Sequence, residues 1–205
     1  MSFVGCVTAA VGLSGCFTGE RPTLADGPQM TGDPAVDAVL ERLDRTPDAV
    51  FTVGYDVLTK FGNVSRAATV VQAGPARRSV TVGSIRFIVD RATTATCELD
   101  TGSCSDTIDE NRISDTMLAA DFYASSAARR LRRDAAARID AAEGSTVDIA
   151  GTPATCVAIP LTSSTETYCA LDSGPLARLD AADVRIELTA YSPTPDESAF
   201  TRSTN

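Results

Sequence analysis

The chain has 205 residues, a length sufficient for one globular domain with a sizeable core. Of these residues, 43% are hydrophobic and 22% are charged. The formal net charge of −9 is the reverse of what a nucleic-acid-binding protein needs, so we expect no nucleic acid partner. Histidine is absent, which excludes nucleophile pairs of the Ser-His or Cys-His type and metal sites built on imidazole.

Residues 1–15 are uncharged and mostly small or apolar, and they are too few to cross a bilayer about 30 Å thick with any margin. They predict the apolar region of a secretory signal peptide. Residues 13–16 read Leu-Ser-Gly-Cys, which resembles the lipobox of bacterial lipoproteins and implies a lipid anchor on Cys16. The alternative is a buried apolar segment that ends in this tetrapeptide by chance.

A flexible lipidated tether is expected over 16–33, because this segment is rich in Gly, Pro, Thr and Asp and has no apolar period. A helix is predicted to start at Asp33-Pro34, where a capping residue precedes a proline in the first helical position. Apolar residues then recur at helical spacing as far as Asp44.

Alternating apolar and polar residues follow Pro47 and predict an antiparallel meander, because the connections between the strands are only a few residues long. The expected strands cover 51–58, 64–73, 80–82 and 85–89.

Residues 114–142 contain no Gly or Pro and are rich in Ala, Arg and Asp, so we expect one long helix, with a break at Ser125-Ser126 as the alternative. Gly144 is expected to end it. A second set of strands follows, over 147–150, 156–161, 166–171, 175–179 and 184–191. The sequence therefore predicts a single domain over 34–192 and a flexible tail over 193–205.

Six cysteines occur in the sequence. Cys6 leaves with the signal peptide and Cys16 carries lipid, so an even number remains in an exported protein, which favours disulfides. Local pairing is the simplest arrangement, and two other pairings stay open. It joins Cys97 to Cys104 and Cys156 to Cys169. The rival interpretation is a zinc site with four thiolates. Such sites typically contain two cysteines separated by two to four residues, and the sequence has no such pair, which argues against this interpretation.

The order of these features resembles that of actinobacterial cell-envelope lipoproteins of the LolA-like group, which includes the mycobacterial lipid-carrier lipoproteins. The resemblance rests on the lipobox, on the pair Cys97 and Cys104, and on the run 151–176. It implies an α+β fold in which a curved antiparallel sheet forms an unclosed half-barrel and a helical insertion covers the concave face. It also implies an apolar cavity that accepts the acyl chains of a lipid or glycolipid.

A sheet with one apolar face must cover that face, and an Ala-rich helix is a thin cover that leaves volume beneath it. We therefore expect a ligand cavity lined by the larger apolar side chains of the strands and the helical insertion. These residues are Phe51, Val53, Tyr55, Val57, Val80, Val82, Ile85, Phe87, Val89, Met117, Leu118, Phe122, Leu131, Ile186 and Leu188. The alternative is a solid core, which the same alternation also predicts.

Residues 129–133 form the one dense basic cluster of this acidic chain. On a helix, Arg129, Arg132 and Arg133 share a face, and they would contact anionic lipid head groups at about 1 kcal/mol each. The alternative is a solvated face with Asp134 and Asp140 as ion-pair partners.

Two functions are compatible with these features. The first is a membrane-anchored envelope lipoprotein that binds or carries a lipid or glycolipid; the second is a tethered interaction or sensor domain, with a solid core, that binds another envelope protein. Neither needs a cofactor or a metal. Known nucleophile motifs are absent from the sequence, so we expect no enzymatic activity. The expected location is the extracytoplasmic face of the cell membrane.

Overall fold

A computed structural model describes residues 29–202, without the side chains of residues 114–116. The predicted signal peptide, the predicted lipidation site Cys16 and the tether up to residue 28 lie outside the described residues, as do residues 203–205.

Three helices and eleven strands make up the described chain, together with two short 3-10 helices at Thr46–Asp48 and Glu197–Phe200. The helices are α1 (Pro34–Arg45), α2 (Glu110–Thr116) and α3 (Ser125–Ala136). The strands are β1 (Val50–Thr59), β2 (Val64–Ala73), β3 (Arg77–Val82), β4 (Ile85–Asp90), β5 (Thr93–Glu98), β6 (Ser103–Ser105), β7 (Glu143–Ile149), β8 (Thr152–Pro160), β9 (Thr165–Leu171), β10 (Leu176–Asp180) and β11 (Val184–Ser192).

All eleven strands belong to one antiparallel sheet, in the order β6-β5-β4-β3-β2-β1-β11-β10-β9-β8-β7. The sheet consists of two meanders, β1–β6 and β7–β11, which meet in the centre where β1 pairs with β11. Among the described residues, β6 and β7 each have a strand on one side only, so the sheet does not close into a barrel. The predicted open antiparallel sheet is therefore confirmed.

Residues 106–142 connect one edge strand of this sheet, β6, to the other edge strand, β7. Neighbouring strands lie about 4.8 Å apart, so eleven strands span about 48 Å from one edge strand to the other. The connection therefore has to cross the whole width of the sheet. Within it, α3 packs on α1, and α1 packs on β7, β8 and β9. The topology thus places the helices in a layer on one face of the sheet.

Helix α1 begins where the sequence predicts it. The carboxylate of Asp33 accepts hydrogen bonds from the backbone N–H groups of Ala35, at 3.0 Å, and Val36, at 3.4 Å, and Pro34 occupies the first helical position. The apolar residues at helical spacing are fully buried against the sheet; they are Val36, Val39, Leu40 and Leu43.

The long helix predicted over 114–142 is wrong in its extent, because the chain forms α2 and α3 with a non-helical linker between them. Met117 ends the first helix with a φ of 56°, which a right-handed helix excludes. In the linker, Phe122, Tyr123 and Ala124 are all buried, and three consecutive residues cannot share one face of a helix. The alternative break at Ser125-Ser126 coincides with the first turn of α3.

Gly144 lies in β7 and does not end a helix, which corrects a second prediction. A Cβ at this position would lie 3.2 Å from the Cβ of Ala35, so the glycine allows β7 to approach α1 closely. The chain leaves α3 at Ala136, seven residues before β7 begins at Glu143.

The alternating direction of the strands gives the sheet two ends. The turns at one end are 60–63, 83–84, 99–102, 161–164 and 181–183. Helix α1 starts at this end, where Ala35 meets Gly144, and finishes at the opposite end, where Arg42 donates a 2.9 Å hydrogen bond to Asp172. Helix α1 therefore begins on the same side as these turns, and we call this side the tether end.

Both local disulfides are present. Cys97 faces Cys104 across β5 and β6, and Cys156 faces Cys169 across β8 and β9. This arrangement leaves no place for the alternative zinc site on these four sulfurs. Cys156 and Cys169 lie inside the main core, whereas Cys104 is exposed.

A small second core lies on the other face of the sheet. Ile88, Ala95 and Cys97 form it, and Phe200 of the C-terminal 3-10 helix packs against it. The guanidinium of Arg77 lies 4.1 Å above the Phe200 ring and is 3.0 Å from the Glu197 carboxylate. Residues 193–202, the described part of the expected tail, therefore contact the sheet.

The two disulfides are expected to differ in their contribution to stability. They close segments of 13 and 7 residues, so the loop-entropy relation predicts a loss of about 3 kcal/mol for the double variant Cys156→Ala/Cys169→Ala and about 2 kcal/mol for Cys97→Ala/Cys104→Ala. Urea unfolding followed by far-UV circular dichroism measures both. A larger loss for the Cys97 and Cys104 pair would contradict this ranking.

Candidate binding pocket

A pocket of about 290 Å³, open to solvent, lies at the tether end between the helical layer and the sheet. The linker between α2 and α3 and the first turns of α3 form one wall, and the ends of β1, β10 and β11 form the other. The lining residues are Thr59, Phe61, Met117, Leu118, Ala119, Phe122, Ser126, Ala127, Arg130, Leu179, Asp183, Val184 and Ile186.

The pocket brings together a minority of the residues that were expected to line a cavity: Met117, Leu118, Phe122 and Ile186. Most of the others are at most 3% exposed and belong to packed interior; these are Phe51, Val53, Tyr55, Val57, Val80, Val82, Phe87, Leu131 and Leu188. Ile85 and Val89 are partly exposed and lie away from the pocket. The pocket thus occupies one end of the space beneath the helices.

Aromatic rings fill the space over β1 that an Ala-rich helix alone would leave empty. The Tyr55 and Phe122 rings pack edge to face with centroids 5.3 Å apart, and those of Phe51 and Tyr123 are 6.1 Å apart. The Tyr55 hydroxyl donates a 2.8 Å hydrogen bond to the carbonyl of Leu176, and burial raises the pKa of Tyr55 well above its ordinary value. The linker therefore supplies the Phe122 ring, which lines the pocket, and the Tyr123 ring, which packs against Phe122 beyond it.

A charged cluster that sequence reasoning missed lies at the pocket rim. The two terminal nitrogens of Arg130 donate to the two carboxylate oxygens of Asp183, at 2.6 and 3.1 Å, and one of them also reaches Glu166 at 3.3 Å. The Tyr168 hydroxyl donates to Asp134 and, at 3.2 Å, to Glu166. The spacing of Arg130 and Asp134 by four residues on one helix is the only sequence signal for this cluster.

The electrostatics of this cluster follow from burial and from two guanidiniums, since Asp134 also pairs with Arg133 at 3.1 Å. Asp134 and Glu166 are about 95% buried, whereas Asp183 is exposed at the turn before β11. Hydrogen bonds from Arg130 hold the pKa of Asp183 below its ordinary value, and burial raises the pKa of Tyr168 above its ordinary value. Arg130 therefore ties the rim of the pocket to a buried polar network in the domain.

The three arginines expected to contact head groups have different surroundings. Arg132 is mostly buried, where it pairs with Asp44 and donates to the carbonyl of Gln29 at 2.8 Å. Arg129 and Arg133 are exposed, and each has one carboxylate partner on α3 or the linker. Arg132 thus fixes the point where the tether joins the domain, and the other two guanidiniums face solvent.

No helix within residues 29–202 is long and apolar enough to cross a membrane. Over the same stretch, His, Cys, Asp and Glu side chains form no group of three that could hold a metal ion.

Comparison with known proteins identifies the fold. No family model matches the chain, and no curated protein matches its sequence. The crystal structure of MucB matches with a TM-score of 0.53 and 13% identity over 83% of this chain, which spans 63% of the MucB chain. The complex of Pseudomonas aeruginosa MucA and MucB gives a TM-score of 0.52 and 12% identity, covering 82% of this chain and 60% of that one.

A mycobacterial lipoprotein is also among the similar structures. LppX of Mycobacterium tuberculosis has 18% identity and a TM-score of 0.39, covering 78% of this chain and 94% of its own. The predicted fold class, a LolA-like open sheet with helices on one face, is confirmed.

Tyr168→Phe is expected to destabilise the domain more than Tyr55→Phe does. Both tyrosines are buried donors, but Tyr168 serves two buried carboxylates and Tyr55 serves one backbone carbonyl. Hydrogen bonds to charged groups are worth more, so we expect losses of about 2–3 and about 1 kcal/mol. Equal losses in urea unfolding would show that the network contributes nothing beyond an ordinary hydrogen bond.

Asp183→Asn is expected to reduce the dependence of stability on acid. The pKa of Asp183 is lower in the folded chain than in the unfolded one, so its contribution is present above the unfolded value of about 3.9 and is lost as the pH falls through the folded value. Unfolding free energies at pH 7 and pH 3 should therefore differ less in Asp183→Asn than in the wild type. The same difference in both proteins would refute this assignment.

Proposed function

We propose that this chain is an actinobacterial envelope lipoprotein that binds one acyl chain of a lipid or glycolipid in the pocket at the tether end. The pocket carries this proposal, because it is walled largely by apolar side chains while charged groups, Arg130 and Asp183, stand at its rim. Such a combination suits an amphiphile whose tail is buried and whose polar head stays near water. No catalytic residue is needed for this role.

The volume of the pocket restricts the size of the ligand. At about 290 Å³ it lies at the lower limit of the ~300–1,000 Å³ typical of small-molecule sites. Because aromatic rings occupy the interior beyond it, one chain fits and the other chains of a larger lipid would remain outside. Burying six methylenes would contribute about 5 kcal/mol before the cost of ordering the ligand.

The lipobox supports an anchor on Cys16 and a location on the extracytoplasmic face of the membrane. Two or three acyl chains on one cysteine hold a protein at the membrane permanently. Exposed Arg129 and Arg133 would then be free to contact anionic head groups, whereas Arg132 holds the end of the tether.

A second candidate function is the binding of another envelope protein. The MucB fold is known in a complex with MucA, and the pocket rim exposes two large apolar side chains, Phe61 at 89% and Met117 at 51%. A partner could insert an apolar side chain between them. This candidate uses the same pocket and differs in what fills it.

Val184→Trp is expected to weaken acyl binding at least tenfold, because the indole of a partly exposed lining residue would occupy the pocket. Val50→Trp is the matched control, since both valines open a strand and Val50 does not line the pocket. Equilibrium dialysis of the delipidated chain against radiolabelled palmitate measures the affinity. Equal affinity of the two variants, or no binding by the wild type, would contradict the proposal.

The partner-protein candidate makes a different prediction for the same variants. If the pocket receives a protein side chain, palmitate should not bind, and Val184→Trp should abolish recovery of an envelope protein that cross-links to the wild type and to Val50→Trp. Palmitate binding without such a cross-link would favour the lipid ligand.

A further inference from the structure

Large apolar side chains that are exposed to solvent are concentrated on one side of the domain. In the described part of the chain, five such residues are at least 47% exposed; these are Met30, Val50, Phe61, Met117 and Ile139. Phe61 lies in the β1–β2 turn, and Met117 shares the pocket rim with it. Both therefore belong to the tether end.

Ile139 lies at the same end. It follows Arg138, which pairs at 3.4 Å with the Asp33 cap where α1 begins. Met30 lies beside α3, next to Arg132 and Ala135. The backbone N–H of Ile139 donates to the carbonyl of Pro160, beside the 161–164 turn. Val50, the first residue of β1, lies at the opposite end of the sheet.

Residues 29–33 run back along α1 from the Asp33 cap. The hydroxyl and N–H of Thr31 both donate to Asp37 in the first turn of α1, and the carbonyl of Gln29 accepts a hydrogen bond from Arg132, which also pairs with Asp44 in the last turn. Between Cys16 and Gln29 the chain is 13 residues long, which allows a reach of at most about 45 Å. A lipid on Cys16 would thus hold the whole domain within reach of the bilayer surface, and the exposed apolar side chains select the end that faces it.

We infer that the tether end is a membrane-docking surface, in which Phe61 and its apolar neighbours insert into the outer leaflet and place the pocket mouth at the acyl chains. An exposed phenylalanine in a turn gains free energy by entering the bilayer interface, whereas in water it costs free energy. An acyl chain could then pass from the leaflet into the pocket without crossing water. This inference rests on the proposed anchor and acyl-binding pocket.

Charge at this end favours apolar insertion over attraction to anionic lipid. Lys60 and Arg130 are already paired, with Asp180 and Asp183 respectively. Four acidic side chains, which are Asp140, Glu143, Asp180 and Asp183, accompany the exposed apolar residues. Exposed Arg129 and Arg133 on α3 would add attraction to anionic head groups, but they do not outnumber these four carboxylates. Docking is therefore expected on zwitterionic vesicles of phosphatidylcholine, and anionic lipid is not required.

The sequence contains no tryptophan, so a single indole reports its own surroundings. We would compare Phe61→Trp with Val50→Trp in the full lipidated chain, reconstituted on phosphatidylcholine vesicles with brominated acyl chains. The two positions are separated by the length of β1, about 33 Å for ten residues, and both are exposed. Ile139→Trp, which is outside the pocket, is a second reporter of the tether end.

We expect a blue shift and strong bromine quenching for Phe61→Trp and Ile139→Trp, and neither effect for Val50→Trp. Equal quenching at Val50, or no quenching at Phe61, would overturn the docking surface; in the latter case Phe61 would be left for a protein partner. Palmitate dialysis without vesicles tests the pocket separately. Palmitate binding without quenching rejects docking alone, whereas quenching without palmitate binding rejects the pocket's proposed function alone.

Discussion

The pairing of β1 with β11 in the middle of the sheet is the constraint on which the rest of the domain depends. It joins two meanders so that the chain must travel from the edge at β6 to the edge at β7 between them. Residues 106–142 form this connection, and they cross one face of the sheet. Helices α2 and α3 and the pocket at the tether end follow from this connection, whereas α1 precedes β1 and packs beside α3 on β7, β8 and β9.

How the connection packs decides where open volume remains. A straight Ala-rich helix would leave a continuous gap above β1, but the linker breaks the helix and inserts Phe122 and Tyr123 against Tyr55 and Phe51. The gap is therefore filled except at the tether end, where small residues such as Ala119 and Ala127 line the wall. A filled interior combined with a small terminal pocket explains why the proposed ligand is one acyl chain rather than a whole multi-chain lipid.

Much of the fold could be predicted from the sequence because it depends on local patterns. The Asp33-Pro34 cap, the helical spacing of α1 and the alternation in β1 and β2 all appear in short windows. Strand β5 was missed because Thr93–Glu98 contains no large apolar side chain, and its buried positions are Ala95, Thr96 and Cys97. The non-helical linker between α2 and α3 was not predicted either, because the alanines around it favour a helix.

The site was less predictable than the fold because it depends on contacts between distant segments. Met117 and Leu118 were recognised as apolar residues of the insertion, but their meeting with Ile186 requires the register of β11 against β1. Arg130 and Asp183 are 53 residues apart, and nothing in either local sequence indicates that they pair. The extent of the cavity could not be predicted, since alternation marks buried side chains and does not distinguish a filled core from a lined cavity.

The central claim is that a lipid tail occupies the space between the α2–α3 linker and the start of β11. A crystal structure of the chain with a fatty acid brominated at its terminal carbon tests this most directly, because bromine gives an anomalous signal that locates the tail. The account predicts a bromine peak between Leu118 and Ile186. A fully loaded crystal with no peak there, or with bromine only on the outer surface, would contradict it.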